Sequence, residues 1–361
     1  MVYRRPARLV AHWRGDTFVV HPYRRGPALA VDPTLAGVLH LFSSWRTAAS
    51  FASAVGATTP RVQPLLNRLV AAGLLVRSTK PTDWERTAWD EWGDAAAFLH
   101  FSTRDHRFSG RQQTRQLLRA RAAQTPPAEA TKRYPRRTRL SLPIVDDQTP
   151  FGQLVLQRRT WRQFGDKMPT RRDLAAVLGL TFRVQRWVDL GAFGRVMLRS
   201  SPSGGARHPT EAYVLVRSID GVDPGAYYYA PSEHALVRLR ARRFSGADFA
   251  RLLGGQHWYS GASVLVCLTS VFARTAWVYR SARVYKSLLL EAGHFCQTFC
   301  LAATARRLAP FCTGAFAATK IEHILGLDAD VESVMYVTGF GPRPAGVHWA
   351  PFPAGEPTPL E

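Results

Sequence analysis

From Pro150 onward helix and strand patterns alternate, and the longest element is an amphipathic helical stretch from about Ser281 to Arg307. That alternation predicts a domain in which helices and sheet share one core. The chain has 361 residues, more than one core usually fills. A domain of about 200 residues with a smaller unit ahead of it is the expected organisation.

The smaller unit is legible between Ala7 and Arg77. LVAHW and TFVVHPY flank Arg14-Gly15-Asp16 and read as a hairpin. Asp32-Pro33 opens a helix through LAGVLHLF, a second follows around TAASFASAV, and a third runs from Pro60 to Gly73. LLVRS then returns as a strand. Three short helices and a strand describe a winged-helix shape, which serves either DNA or peptide binding. Helix three offers a major groove only Arg61 and Arg68, poor equipment for reading bases.

Residues 80–100 carry Trp84, Trp89 and Trp92 among Asp83, Glu85, Asp90, Glu91 and Asp94, and read as a helical connector. Between Asp105 and Leu140 ten Lys and Arg face two acids, with QTRQLLRARAAQ helical and TPPAEATKRYPRRTR extended or mobile. The expected boundaries are a winged-helix-like domain over 1–80, a Trp-containing and basic linker over 81–148, and the larger domain over 149–361.

Forty-eight Lys and Arg against 26 Asp and Glu give a net charge of +22, nearly all of it from arginine, which suits an anionic partner. The charge is spread and no base-reading motif accompanies it, which argues against nucleic acid. No apolar run approaches a membrane span, and the N-terminus lacks the apolar core of a secretory signal, so a cytoplasmic protein is expected. Cys267, Cys296, Cys300 and Cys312 are too sparse for a disulfide framework and too few for zinc, and read as small core residues.

Four segments carry chemistry. FGQLVLQRRTWRQF ends in Arg158, Arg159, Thr160 and Arg162, whose forked donors and hydroxyl suit a phosphate with an adjoining polyol. SSPSGGARHPTEAYVLVR places Gly204 and Gly205 before a strand, where backbone approaches a flat ring closely. It is neither a Walker loop nor a dinucleotide fingerprint. Glu291 and His294 form an i, i+3 pair on the long helix; further metal ligands are missing, so a helix–helix hydrogen bond is expected and no metal. Finally, FCTGAFAAT puts Gly314 in a short loop, and Arg343 follows the strand-like VMYVTGF, where it would close the clamp.

Taken in order, RRTWRQF, SPSGGARHP, LLLEAGH and TGFGPRP resemble the nitroreductase-like flavoproteins, and within them the SagB-type dehydrogenases of thiazole- and oxazole-forming peptide maturases. LVAHW…LLNRLVAAGLLVRS and FLHFSTRD extend the resemblance over nearly the whole chain. It implies a homodimer of α+β domains, each preceded by a small winged-helix-like domain, with FMN at the dimer interface. The phosphate would be held by Arg158, Thr160, Arg162 and Arg343. The ring would meet Pro202, Ser203, Gly204, Gly205 and the Gly314 loop. The implied reaction oxidises an azoline ring of a precursor peptide, a base taking the Cα proton while hydride passes to the flavin.

Where that family carries a Lys-Tyr pair, this chain has Val278 and Tyr279. Tyr279 is the implied base, and a phenol needs a neighbouring positive charge, Arg280 or Lys286, to act at neutral pH. The implied partners are a precursor peptide with an acidic leader and a cyclodehydratase. Three alternatives compete: an NAD(P)H-dependent nitro or quinone reductase, a flavin-binding scaffold whose chemistry lapsed with the lysine, and a DNA-binding regulator.

Overall fold

The computed structural model describes residues 1–24, 26–82, 87–105, 111–127, 131, 140, 142–143 and 148–347. Most of TPPAEATKRYPRRTR, and Trp84 with its neighbours, lie outside them. The chain divides into two compact units. The first comprises Met1–Arg104 together with Ala276–Tyr285, and the second Asp105–Thr275 with Lys286–Glu361.

In the first unit, β1 (Val2–Arg4), β2 (Val10–Arg14), β3 (Thr17–His21), β4 (Leu29–Ala30), α1 (Leu35–Leu41), β5 (Arg46–Thr47), α2 (Ala48–Ala54), α3 (Thr59–Ala71) and β6 (Val76–Ser78) contain the expected hairpin, three helices and returning strand, with β1, β4 and β5 in addition. β2 and β3 pair Arg14 with Thr17, so Gly15-Asp16 is a two-residue turn, and Gly15 takes the positive φ of +56° that such a turn requires. Thr47 caps α2 by accepting from Ser50 N. Phe42, Phe51, Leu66 and Leu75 bury the inner faces of these helices around Tyr3 and Val20. β5, β1 and β6 form one small antiparallel sheet, and β2, β3 and β4 another.

The segment read as a connector is part of this core. α4 (Ala88–Trp92) carries Trp89 and Trp92, both almost fully buried, and both it and α5 (Asp94–Thr103) fall in the first unit. The Trp89 ring stacks on His100 at 4.9 Å, and His100 Nδ1 lies 3.0 Å from the Tyr285 hydroxyl.

The second unit begins with α6 (Arg111–Gln124), the predicted QTRQLLRARAAQ helix. α7 (Pro150–Gln157), α8 (Arg171–Phe182), the β7 (Arg186–Asp189)–β8 (Arg195–Leu198) hairpin, β9 (Thr210–Val216), β10 (Gly225–Ala230) and β11 (Ala235–Ala241) follow. Next come α9 (Gly246–Leu252), β12 (Val264–Val271), α10 (Phe272–Ala276), α11 (Tyr285–Ala305), β13 (Leu308–Thr313), α12 (Ala318–Leu325) and β14 (Glu332–Pro342). Six strands make an antiparallel sheet in the order β11-β10-β9-β12-β14-β13. β9 is buried along its whole length and β12 nearly so, as β-rich runs covered on both faces must be. One face packs Tyr213, Leu215, Cys267 and Val337 against Phe249, Leu253, Ile321 and Ile324 of the α9 and α12 region. On α11, Phe299 stacks on Phe340 of β14, and Phe295 on Phe182 of α8. α11 starts later than predicted, because Ala282–Val284 is a short 3₁₀ turn.

Candidate functional site

Two of the sequence motifs meet at the C-terminal end of β14. Trp161 N donates to Pro310 O at 2.9 Å and Gly165 N donates to Pro342 O at 2.9 Å, which lays the residues after α7 along β13 and β14. Glycine is required on both sides of this contact. A Cβ on Gly165 would sit 2.8 Å from Arg343 O, and one on Gly341 would overlap the Phe164 ring. This explains Gly341 of TGFGPRP and Gly165 of the Phe-Gly that follows the arginine cluster, while Gly339 is needed against Val264 O and the Phe311 ring.

Within this contact Arg343 is held at the strand end. Its guanidinium carbon lies 5.0 Å from the Trp161 ring centre and Nη2 is 3.4 Å from Leu308 O, while Nε is buried with no hydrogen-bond partner. Desolvation, and then Arg307, lower the Arg343 pKa from its ordinary value. A half-buried guanidinium with a buried, unused donor is suited to an oxyanion. Arg158 and Thr160 are half-buried and Arg162 is exposed on the segment that crosses these strands.

The glycine motif is built differently. Ser203 precedes a 3₁₀ turn, Gly204–Ala206, in which Gly205 has φ +60°. Ala206 and His208 also have positive φ, +53° and +42°, and the Ser203 hydroxyl accepts from His208 N at 2.9 Å. Pro202, Gly204 and Gly205 are exposed. Backbone in this strained form, free of Cβ at two successive positions, presents its amides to a flat partner.

α11 holds that loop. Ser201 Oγ and Thr298 Oγ1 are 2.9 Å apart, and His294 Nδ1 is 3.4 Å from Pro202 O. Glu291, buried, accepts from Thr210 N at 3.4 Å. Burial raises the Glu291 pKa, against the lowering effect of hydrogen bonds from Ser203 and Thr210. The i, i+3 pair therefore bonds a loop and a strand, not another helix as expected from sequence. Behind it lies a buried polar group that sequence reasoning missed. Arg199 donates to Thr210 O at 3.0 Å, Arg274 pairs with Glu211 and donates to His208 O at 2.9 Å, and the Tyr228 hydroxyl donates to Glu211 at 3.1 Å. Desolvation, reinforced by Arg199 and Arg274, pulls the His208 pKa down to about 4.

Gly314 is exposed immediately after β13, in a short loop as predicted. Two residues earlier, Cys312 meets Cys296 and Cys300 of α11. Hydrogen bonds with Cys296 and Cys300 pull the Cys312 thiol pKa down, and hydrogen bonds with Cys300 and then Cys312 push Cys296 up. Cys267 stands apart in the sheet core, where burial raises its pKa to about 12.

Tyr279, the implied base, folds with the first unit, whereas the arginine and glycine motifs belong to the second. It is 38% exposed, and its carbonyl accepts from Trp92 Nε1 at 3.0 Å. Arg280, a suggested helper, lies 3.5 Å from Glu91 in an exposed ion pair. Val278 is 37% exposed, so the position offers space for a longer side chain.

Residues 155–342 match the nitroreductase family, just over half of the chain. A Methanocaldococcus jannaschii protein carrying the name nitroreductase is 30% identical over 186 residues, 52% of this chain and 88% of that protein. The trifolitoxin-processing protein TfxB of Rhizobium leguminosarum bv. trifolii is 29% identical over 151 residues, 41% of this chain and 40% of the Rhizobium protein. Among solved structures, the Escherichia coli microcin synthetase McbBCD complex with truncated pro-MccB17 bound aligns with a TM-score of 0.44 and 19% identity. That alignment covers 63% of this chain and 91% of the matched one. No helix among the described residues is long and apolar enough to cross a membrane. With its second unit matched from α7 to the end of β14, the chain belongs to the nitroreductase family.

Proposed function

We propose that this protein is an FMN-dependent dehydrogenase of ribosomal peptide maturation, of the SagB type, oxidising an azoline or related peptide group. The observation that carries the cofactor is Arg343, whose buried Nε has no hydrogen-bond partner beside the Arg158–Arg162 segment. The likeness to a trifolitoxin-processing protein supports a peptide substrate.

In this reading Arg158, Thr160, Arg162 and Arg343 bind the phosphate, and Pro202, Ser203, Gly204, Gly205 and Gly314 address the ring. FMN, when bound, supplies the hydride acceptor. Glu291 and Ser203 hold the glycine loop in its left-handed conformation, and Tyr279 takes up the Cα proton at its phenol oxygen. Trp92 fixes the main chain at Tyr279. The first unit acts as a winged-helix-like peptide-binding domain whose basic surface receives an acidic leader. The working form is a cytoplasmic homodimer that accepts substrate from a cyclodehydratase.

The test is anaerobic mixing of the FMN-loaded protein with an azoline-bearing peptide. The reading expects bleaching of the flavin band and a peptide product lighter by two hydrogens. A flavin reduced by NADPH and reoxidised by quinone, but not reduced by the peptide, would instead favour the nitro or quinone reductase reading. The Methanocaldococcus match, which covers most of that relative within just over half of this chain, supports that second reading.

A further inference from the structure

Cys296, Cys300 and Cys312 take no part in the proposed reaction, yet they converge. Cys296 and Cys300 are one helical turn apart on α11 and Cys312 is on β13, and their three sulfurs lie within 4.8 Å of one another. Cys296 and Cys300 are 2% and 4% exposed, and Cys312 is half-buried. We propose that these three thiols form a binding site for a single thiophilic d¹⁰ cation, zinc or monovalent copper.

Spacing, ligand softness and proton release favour the site. Thiolates bound to one such ion at about 2.3 Å in a trigonal arrangement stand ~4 Å apart, so the observed spacing needs only side-chain rotation to close on a metal. Soft thiolates select these ions over hard cations. Binding displaces the three thiol protons to solvent, so the cation itself supplies the charge that pairs with the buried sulfurs.

A disulfide is the competing use of paired thiols, and the helix disfavours it for Cys296 and Cys300. Side chains at i and i+4 have Cβ atoms ~5–6 Å apart, whereas a disulfide needs about 3.5–4.5 Å. An ion bridges the wider gap. Occupancy would tie α11 to β13 just ahead of Gly314, adding a cross-link within the second unit. The site stands on the thiol geometry and is independent of the flavin reading.

The experiment uses the full-length chain, reduced and stripped of metal, titrated with Cd(II) as a spectroscopic probe. A sulfur-to-cadmium charge-transfer band saturating at one equivalent per chain is expected. Cys300→Ser and Cys312→Ser should weaken binding by at least roughly ten-fold, as loss of a ligand does, and Cys267→Ser should leave it unchanged. Displacement of cadmium by zinc or by monovalent copper then identifies the ion. Native-state alkylation of the unmodified sequence provides a check that no variant's folding can confuse, since bound metal should protect Cys296, Cys300 and Cys312. Absence of the band, its survival in Cys312→Ser, equal alkylation with and without metal, or an isolated chain whose mass and metal content show a disulfide in place of an ion would overturn the proposal.

Discussion

Arg343 lies over Trp161, with 5.0 Å between the guanidinium carbon and the ring centre, and this stacking holds the arginine where its Nε has no protein acceptor. A hydrogen bond from a guanidinium to a charged oxygen is worth about 2 kcal/mol, roughly thirty-fold in affinity. Arg343→Ala should weaken FMN binding by about that factor, measured by fluorescence titration. Arg343→Lys should recover only part of the loss, because lysine has no fork to divide between Leu308 O and a ligand.

The contact between Phe164 and Gly341 makes a stability prediction that does not involve cofactor. A methyl group at Gly341 has no space against the Phe164 ring. Gly341→Ala should cost about 1–3 kcal/mol in denaturant unfolding, as overpacking does, and Phe164→Leu in the same chain should return part of it.

Tyr279→Phe removes the phenol oxygen and leaves the ring. Loss of a positioned base should slow azoline oxidation roughly 10²–10⁴-fold while FMN content stays unchanged. Val278→Lys places a positive charge beside the phenol at an exposed position and should raise the rate near neutral pH. An unchanged rate in Val278→Lys would count against Tyr279 as a base that acts with the help of a neighbouring positive charge.

His100 and His208 are both buried, with pKa values lowered to about 3 and about 4, in each case chiefly by desolvation. Each is therefore neutral in the folded protein and takes up a proton on unfolding once the pH is below the ordinary value of about 6.5. Stability is fully present above about 6.5 and falls with acidification, by up to roughly 1.4 kcal/mol per pH unit for each histidine, until the folded-state pKa is reached. Thermal melts between pH 7 and pH 4 should show this loss, and His208→Phe should flatten the part belonging to the second unit.

Local chemistry accounts for what was legible in the sequence. Gly15-Asp16 between two β-rich runs and the helix over TAASFASAV depend on residues close in the chain, and each forms where expected. The misplaced elements depend on distant partners. Trp89 and Trp92 read as a connector because their burial against Tyr285 and beneath Tyr279 involves residues nearly 200 positions away. Cys312 lies on a strand, so nothing in the spacing of Cys296 and Cys300 could announce it as their neighbour. The same holds for Arg199, His208 and Glu211, buried polar residues whose neighbours include Phe295, Arg274 and Tyr228 from distant parts of the chain.

The most direct test of the flavin assignment is the visible absorption spectrum of the purified full-length protein, with the released chromophore identified by chromatography. A flavin spectrum is expected, with FMN as the released species at one per chain and a lower FMN content in Arg343→Ala. A colourless protein that also fails to take up added FMN would contradict it.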